Sequence, residues 1–147
     1  MRLAPALAHA LEDGRSLLGF SRGEIRRDSV YLEDLLAELR TPEVTLELDP
    51  AVEVIVADGT LLRVALRAIA DEVRARAGGV MAPVLIRTAT SSDGVSISIL
   101  AEARNPAAGA SVTGLGLGLA QRIAELHGGT IEDPGPPAAV VLVLPAA

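Results

Sequence analysis

The sequence predicts an α/β fold, a two-layer sandwich in which one mixed sheet is covered on one face by helices, with an additional helical segment at the N-terminus. Three observations predict it. Runs of β-branched residues recur between amphipathic helical patterns, as in "EVTLELD", "VEVIVAD", "PVLIRTAT", "GVSISILAEA" and "AAVVLVLP". The helical patterns separate strands, so sheet and helices must pack as layers. Finally, 147 residues without cysteine suffice for one domain with a real core and no disulfide framework.

In chain order, Leu3, Leu7, Leu11, Leu18 and Phe20 fall near helical spacing, weakened by Pro5 and Gly14. "SRGEIRRDS" is a polar break. Ser29 is positioned to cap a second helix, "VYLEDLLAELR", with an apolar stripe of Val30, Leu32, Leu35, Leu36 and Leu39 that Pro42 ends. "EVTLELD" and "VEVIVAD", separated by "PA", read as a strand pair. The longest helix runs from Asp58 to about Ala77, with Leu61, Leu62, Ala65, Leu66, Ile69 and Val73 on one face, and stops at Gly78 and Gly79. "SSDG" joins two strands as a hairpin. A glycine-rich stretch then leads into a helix closed by "HGG", and "AAVVLVLP" is the last strand.

Composition excludes several classes. Two histidines and no cysteine leave no zinc-ligand spacing, so a metal would arrive with a nucleotide. A net charge of -6, with arginines interleaved among acids, argues against nucleic acid as a partner, and one Phe, one Tyr and no Trp leave no stacking platform. No apolar run reaches the roughly 20 residues that span a bilayer, and "MRLAPALAHALEDG" carries charge too early for a secretory signal. The expectation is a cytoplasmic protein with no membrane contact.

The most specific passage is "VTGLGLGLAQRIAELHGG", residues 112–129. It resembles the "GTGLGLAIVKRIVELHGG" passage of sensor histidine kinase ATP-binding domains, the Bergerat fold. "VADGTLLRVALRAIADEV" is similar in spacing to that family's "GDPDRLRQVLLNLLDNA", and "LLGFSRGEIRRDSVYLEDLLAEL" to its junction with the dimerisation hairpin. The resemblance covers roughly residues 15–145. It implies residues 1–27 as an N-terminal helical segment, a remnant of the hairpin, and residues 28–147 as a histidine-kinase-like ATPase domain.

The resemblance also locates departures. The family's two helix asparagines, one near the phosphates and one holding magnesium, fall on Ala68 and Glu72. Glu72 is thereby the candidate metal and cofactor residue, since a hard cation accepts carboxylate oxygen. The adenine-binding aspartate falls on Ala101, with Ala103 and Asn105 where glycines are expected; shifting the register to recruit Glu102 turns it to the opposite face. Only "RNPAAGASV" stands where the family has a long lid. Gly114, Leu115, Gly116 and Gly118 remain as cofactor candidates, because glycines at a helix start allow close approach of an anion to free amides. The competing reading is that alternating Gly and Leu pack the helix on the sheet, leucines inward.

His9 lacks the acidic and proline neighbours of a phospho-accepting histidine, and His127 in "ELHGG" reads as a helix-end residue whose positive charge would favour the dipole. Asp71 and Glu72 read as a solvated helix edge if not a site. No catalytic residue is assigned. The functional expectation is a degenerate histidine-kinase-like domain of two-component signalling that acts by protein contact. Its partner would be a response regulator, a kinase or a second copy, met through residues 3–40. Two alternatives stand: residual binding of ATP or ADP with Mg²⁺ in a histidine kinase catalytic domain, and an anti-sigma-type binder.

Overall fold

The computed structural model describes residues 25–79, 82–92, 94–101, 115–134 and 139–145. Seven strands and three helices are described: β1 (Asp28–Tyr31), α1 (Leu32–Ala37), β2 (Val44–Glu47), β3 (Val54–Ala57), α2 (Gly59–Arg76), β4 (Val84–Ser91), β5 (Gly94–Ala101), α3 (Leu115–Leu126), β6 (Thr130–Glu132) and β7 (Val140–Pro145). Five strands form a mixed sheet of order β2-β4-β5-β7-β6, in which only β2 and β4 run parallel. β1 and β3 form a separate antiparallel ribbon.

Period-two burial fixes the covered face of the sheet. Val84, Ile86, Ile97, Ile99, Val140, Leu142 and Leu144 are buried, and they meet the stripe of α2 and the Ala120, Ile123 and Ala124 side of α3 in one core. The α/β sandwich read from the sequence is the observed one. α2 and the β4–β5 hairpin fall where the sequence puts them, and α3 and β7 likewise.

Two local readings are corrected. Ser29 caps no helix: it lies in β1 opposite Val56, and α1 starts after Tyr31 with no side-chain cap. Its Leu32 N–H instead donates to the Glu53 carbonyl at 3.1 Å, so the ribbon does the capping. Nor do the two runs around "PA" pair with each other. β2 joins β4 in the main sheet while β3 joins β1, and the chain passes from one to the other through a turn in which Val52 N–H donates to the Asp49 carbonyl. The strand β6 was not foreseen at all.

Candidate functional site

Asp58 lies between β3 and α2, as the N-cap of the helix. Its side chain accepts the Leu61 N–H at 3.1 Å as the N-cap, and also the Arg26 N–H at 3.1 Å. Its own N–H donates to His127 Nε2 at 2.9 Å. Because a backbone N–H only donates, Nε2 must be the acceptor, so the proton is on Nδ1, which donates to the Ile123 carbonyl at 2.8 Å. The ring is thus neutral. Burial lowers the His127 pKa below its ordinary value of 6.5; the Ile123 hydrogen bond and the Asp58 charge oppose that, and Arg27 reinforces it. The Ile123 bond keeps His127 as a capping residue at the helix end, and only the expected positive charge is corrected: His127 is a buried, neutral tie between the start of α2 and the end of α3.

The glycines of "HGG" are structural as well. Gly128, at φ +76°, closes α3, and the Gly129 N–H reaches back to the Ala124 carbonyl at 2.8 Å. Gly129 then passes directly beneath β7, where an added Cβ would overlap the Val143 carbonyl oxygen.

Nearer the other end of α2 is the proposed magnesium residue. Glu72 is buried, not part of a solvated edge, while its neighbour Asp71 is exposed. Arg76 Nη2 stands 3.7 Å from Glu72 Oε1, an oxygen that accepts no hydrogen bond. The same guanidinium makes two hydrogen bonds to Asp133, at 2.9 and 2.7 Å, which raise its pKa and keep it charged. A cation from the chain itself therefore faces the carboxyl. Replacing Arg76 with alanine should leave Glu72 buried without that charge and lower stability by about 1–3 kcal/mol, read by urea denaturation.

The other family positions supply no chemistry. Ala68 carries only a methyl group. Ala101 is the last residue of β5, opposite Val84, and packs against the core. Glu102, Ala103, Asn105, Gly114 and His9 lie outside the described residues. No group of three or more metal-binding side chains occurs among the described residues.

α3 begins at Leu115, so Leu115, Gly116 and Gly118 are helical and not part of a turn. Period two on a helix sends successive members to opposite sides. Leu117 accordingly packs on the core while Leu119 is 38% exposed, which corrects the picture of leucines all pointing inward. Gly118 is exposed, and among the described residues nothing lies within 4 Å of an added Cβ. Packing does not require glycine there. Gly118→Ala should raise stability by about 0.5–1 kcal/mol through helix propensity alone, measured as an increased urea midpoint at unchanged slope.

No protein-family model matches the sequence, and no curated protein matches it. Solved structures do. The fold is that of histidine kinase ATP-binding domains. The ATP binding domain of PrrB from Mycobacterium tuberculosis is 28% identical at a TM-score of 0.59, over 82% of this chain and 98% of that one. The catalytic domain of the histidine kinase ThkA superposes at a TM-score of 0.64 with 18% identity, over 82% of this chain and 96% of that one. Full-length ShkA, solved with AMPPNP, gives a TM-score of 0.61 at 23% identity, over 95% of this chain and 37% of that one. Among the described residues no helix is long and apolar enough to cross a membrane.

Proposed function

We propose that this domain is a degenerate histidine-kinase-like module of two-component-type signalling, acting in the cytoplasm through protein contacts and not through phosphoryl transfer. One observation carries the reading. Glu72, at the position the resemblance assigns to the magnesium ligand, is buried against Arg76, which Asp133 holds in place. An internal guanidinium offsets the charge that a metal ion would otherwise find. Ala68 and Ala101 give phosphate and adenine no polar partner. A response regulator, a kinase or a second copy of the chain is the partner class.

The contact region is narrower than residues 3–40. Leu32, Leu35, Leu36 and Leu39 are buried in the domain's own core, so the apolar stripe of α1 is not available to a partner. Residues up to Tyr31 remain.

Residual ATP or ADP binding is the second reading. It is supported by the start of α3, where helix amides favour an anion and Gly118 leaves the surface open, and by the nucleotide complex of ShkA. Incubation of the protein with Mg²⁺ and ATP labelled at the γ-phosphate tests the exclusion of phosphoryl transfer. The expected result is no label on the chain at any time; acid-labile label that grows with ATP concentration would overturn the proposal.

A further inference from the structure

The β1–β3 ribbon has one face in the core and one outside. Val30, Ile55 and Ala57 point inward, whereas Tyr31, Val54 and Val56 are 55%, 41% and 47% exposed. These are three of the four large apolar side chains exposed among the described residues. Together with Ser29 they make up the outer face, with Tyr31 paired to Val54 at one end and Ser29 to Val56 at the other. The two ends therefore differ in bulk.

They differ in charge as well. Glu33, Asp34 and Glu53, all exposed, stand beyond the Tyr31 end. Arg26 and Arg27 stand beyond the Ser29 end, exposed beside one acid, Asp28, and the Arg27 guanidinium also reaches the Leu126 carbonyl at 3.5 Å. A small apolar centre between ends of opposite sign is complementary to its own reverse.

We propose that this face meets the same face of a second copy of the chain, the two ribbons stacked end for end about a two-fold axis that crosses the strands. The inference rests on the reading of the domain as one that acts by protein contact, and it names the surface and the partner. Reversing one ribbon over the other sets β1 over β1, so the Tyr31 ring lies over Ser29 of the second copy, where a small side chain leaves it room. Likewise Val54 lies over Val56 of the second copy. The same rotation brings Glu33, Asp34 and Glu53 toward Arg26 and Arg27 of the second copy, which fixes the register. Stacking with like ends together would instead oppose Tyr31 with Tyr31 and set three acids against the same three. The apolar centre is small, since a four-residue strand is only about 13 Å long, whereas a stable complex buries about 800 Å² on each side. The contact is therefore weak in free solution. Two copies held together elsewhere would make it persistent by effective concentration.

The chain has no cysteine, so single cysteines report the geometry. Stacked sheets lie about 10 Å apart, a gap that a short bismaleimide bridges and a disulfide does not. A Val54→Cys chain mixed with a Val56→Cys chain should cross-link at least fivefold faster than either chain alone. Sedimentation velocity of the unmodified chain, taken up to about millimolar concentration, should show a dimer whose dissociation constant rises at least tenfold in Val56→Lys. Raising salt from about 0.05 to about 0.5 M should weaken it at least threefold. Tyr31→Ser takes the place of Val56→Lys if that chain does not fold. Faster cross-linking in either single-cysteine chain than in the mixture, a dimer unmoved by the ribbon variants, or a monomer at every concentration would overturn the contact. None of these bears on phosphoryl transfer, which the γ-phosphate label tests separately; label on a chain that still dimerises through the ribbon would overturn the non-catalytic reading and leave the contact standing.

Discussion

Replacing Gly129 with alanine is expected to destabilise the domain by about 3 kcal/mol or more, enough to leave a marginal fold largely unfolded. The reason is backbone against backbone. A Cβ at Gly129 overlaps the Val143 carbonyl oxygen and sits 3.2 Å from the Val143 carbonyl carbon and 3.3 Å from Leu144 Cα. Val143 is held in β7 by pairing on both sides, to Ser96 in β5 and to Thr130 in β6. No side chain rotation relieves the contact, so the sheet edge or the end of α3 must move. Gly128→Ala is the informative comparison. That residue has a positive φ but only the Pro145 ring at 3.7 Å, so its cost should be about 1–2 kcal/mol of backbone strain. Urea denaturation of the two variants should rank them in that order.

His127→Ala is the second large effect, expected at about 2–4 kcal/mol from a cavity plus an unpaired Asp58 N–H. His127→Phe refills the space but not the hydrogen bonds, and should retain about 1–3 kcal/mol of that loss. The native histidine also sets a pH dependence of definite sign. Its pKa is lowered in the folded state, so in the window below 6.5 the unfolded chain binds the proton and the folded chain does not. Stability from this group is fully present above 6.5 and falls as pH drops toward the lowered native value. The groups facing the ring are the Asp58 carboxylate and the Arg27 guanidinium, acting in opposite directions on it. The difference in unfolding free energy between the wild type and His127→Phe should therefore shrink as pH is taken from 7.5 to 5. A difference independent of pH would show that the imidazole is not held neutral.

Much of this fold was legible because local pattern and burial agree. The stripe of α2 and its start near Asp58 are explicit in the residues. So is the β4–β5 hairpin, where Gly94 at φ +141° supplies the conformation its turn needs. Pairing was not legible. β2 and β3 have similar β-branched composition, and nothing local says that one enters the main sheet and the other a ribbon. β1 was hidden because its four residues run without a break into the leucine pattern of α1. At the site, the glycine passage was recognisable, but its parts divide differently from the motif. Gly128 and Gly129 are required by the fold, and Gly118 is not. His127 was seen as a helix-end residue, yet its role depends on Asp58, 69 positions earlier. The Glu72–Arg76 pair could have been read at i, i+4 spacing; the clamp from Asp133 could not, since it comes from beyond β6.

The proposed loss of the magnesium-nucleotide site, with Glu72 facing Arg76 in its place, predicts that this domain does not bind nucleotide. Titration calorimetry with ADP and with ATP, each with and without Mg²⁺, at protein concentrations that detect millimolar affinity, tests it most directly. The expected result is no saturable heat in any of the four titrations. Saturable binding that depends on Mg²⁺ and disappears in Gly116→Val would contradict the claim and return the domain to the nucleotide-binding class.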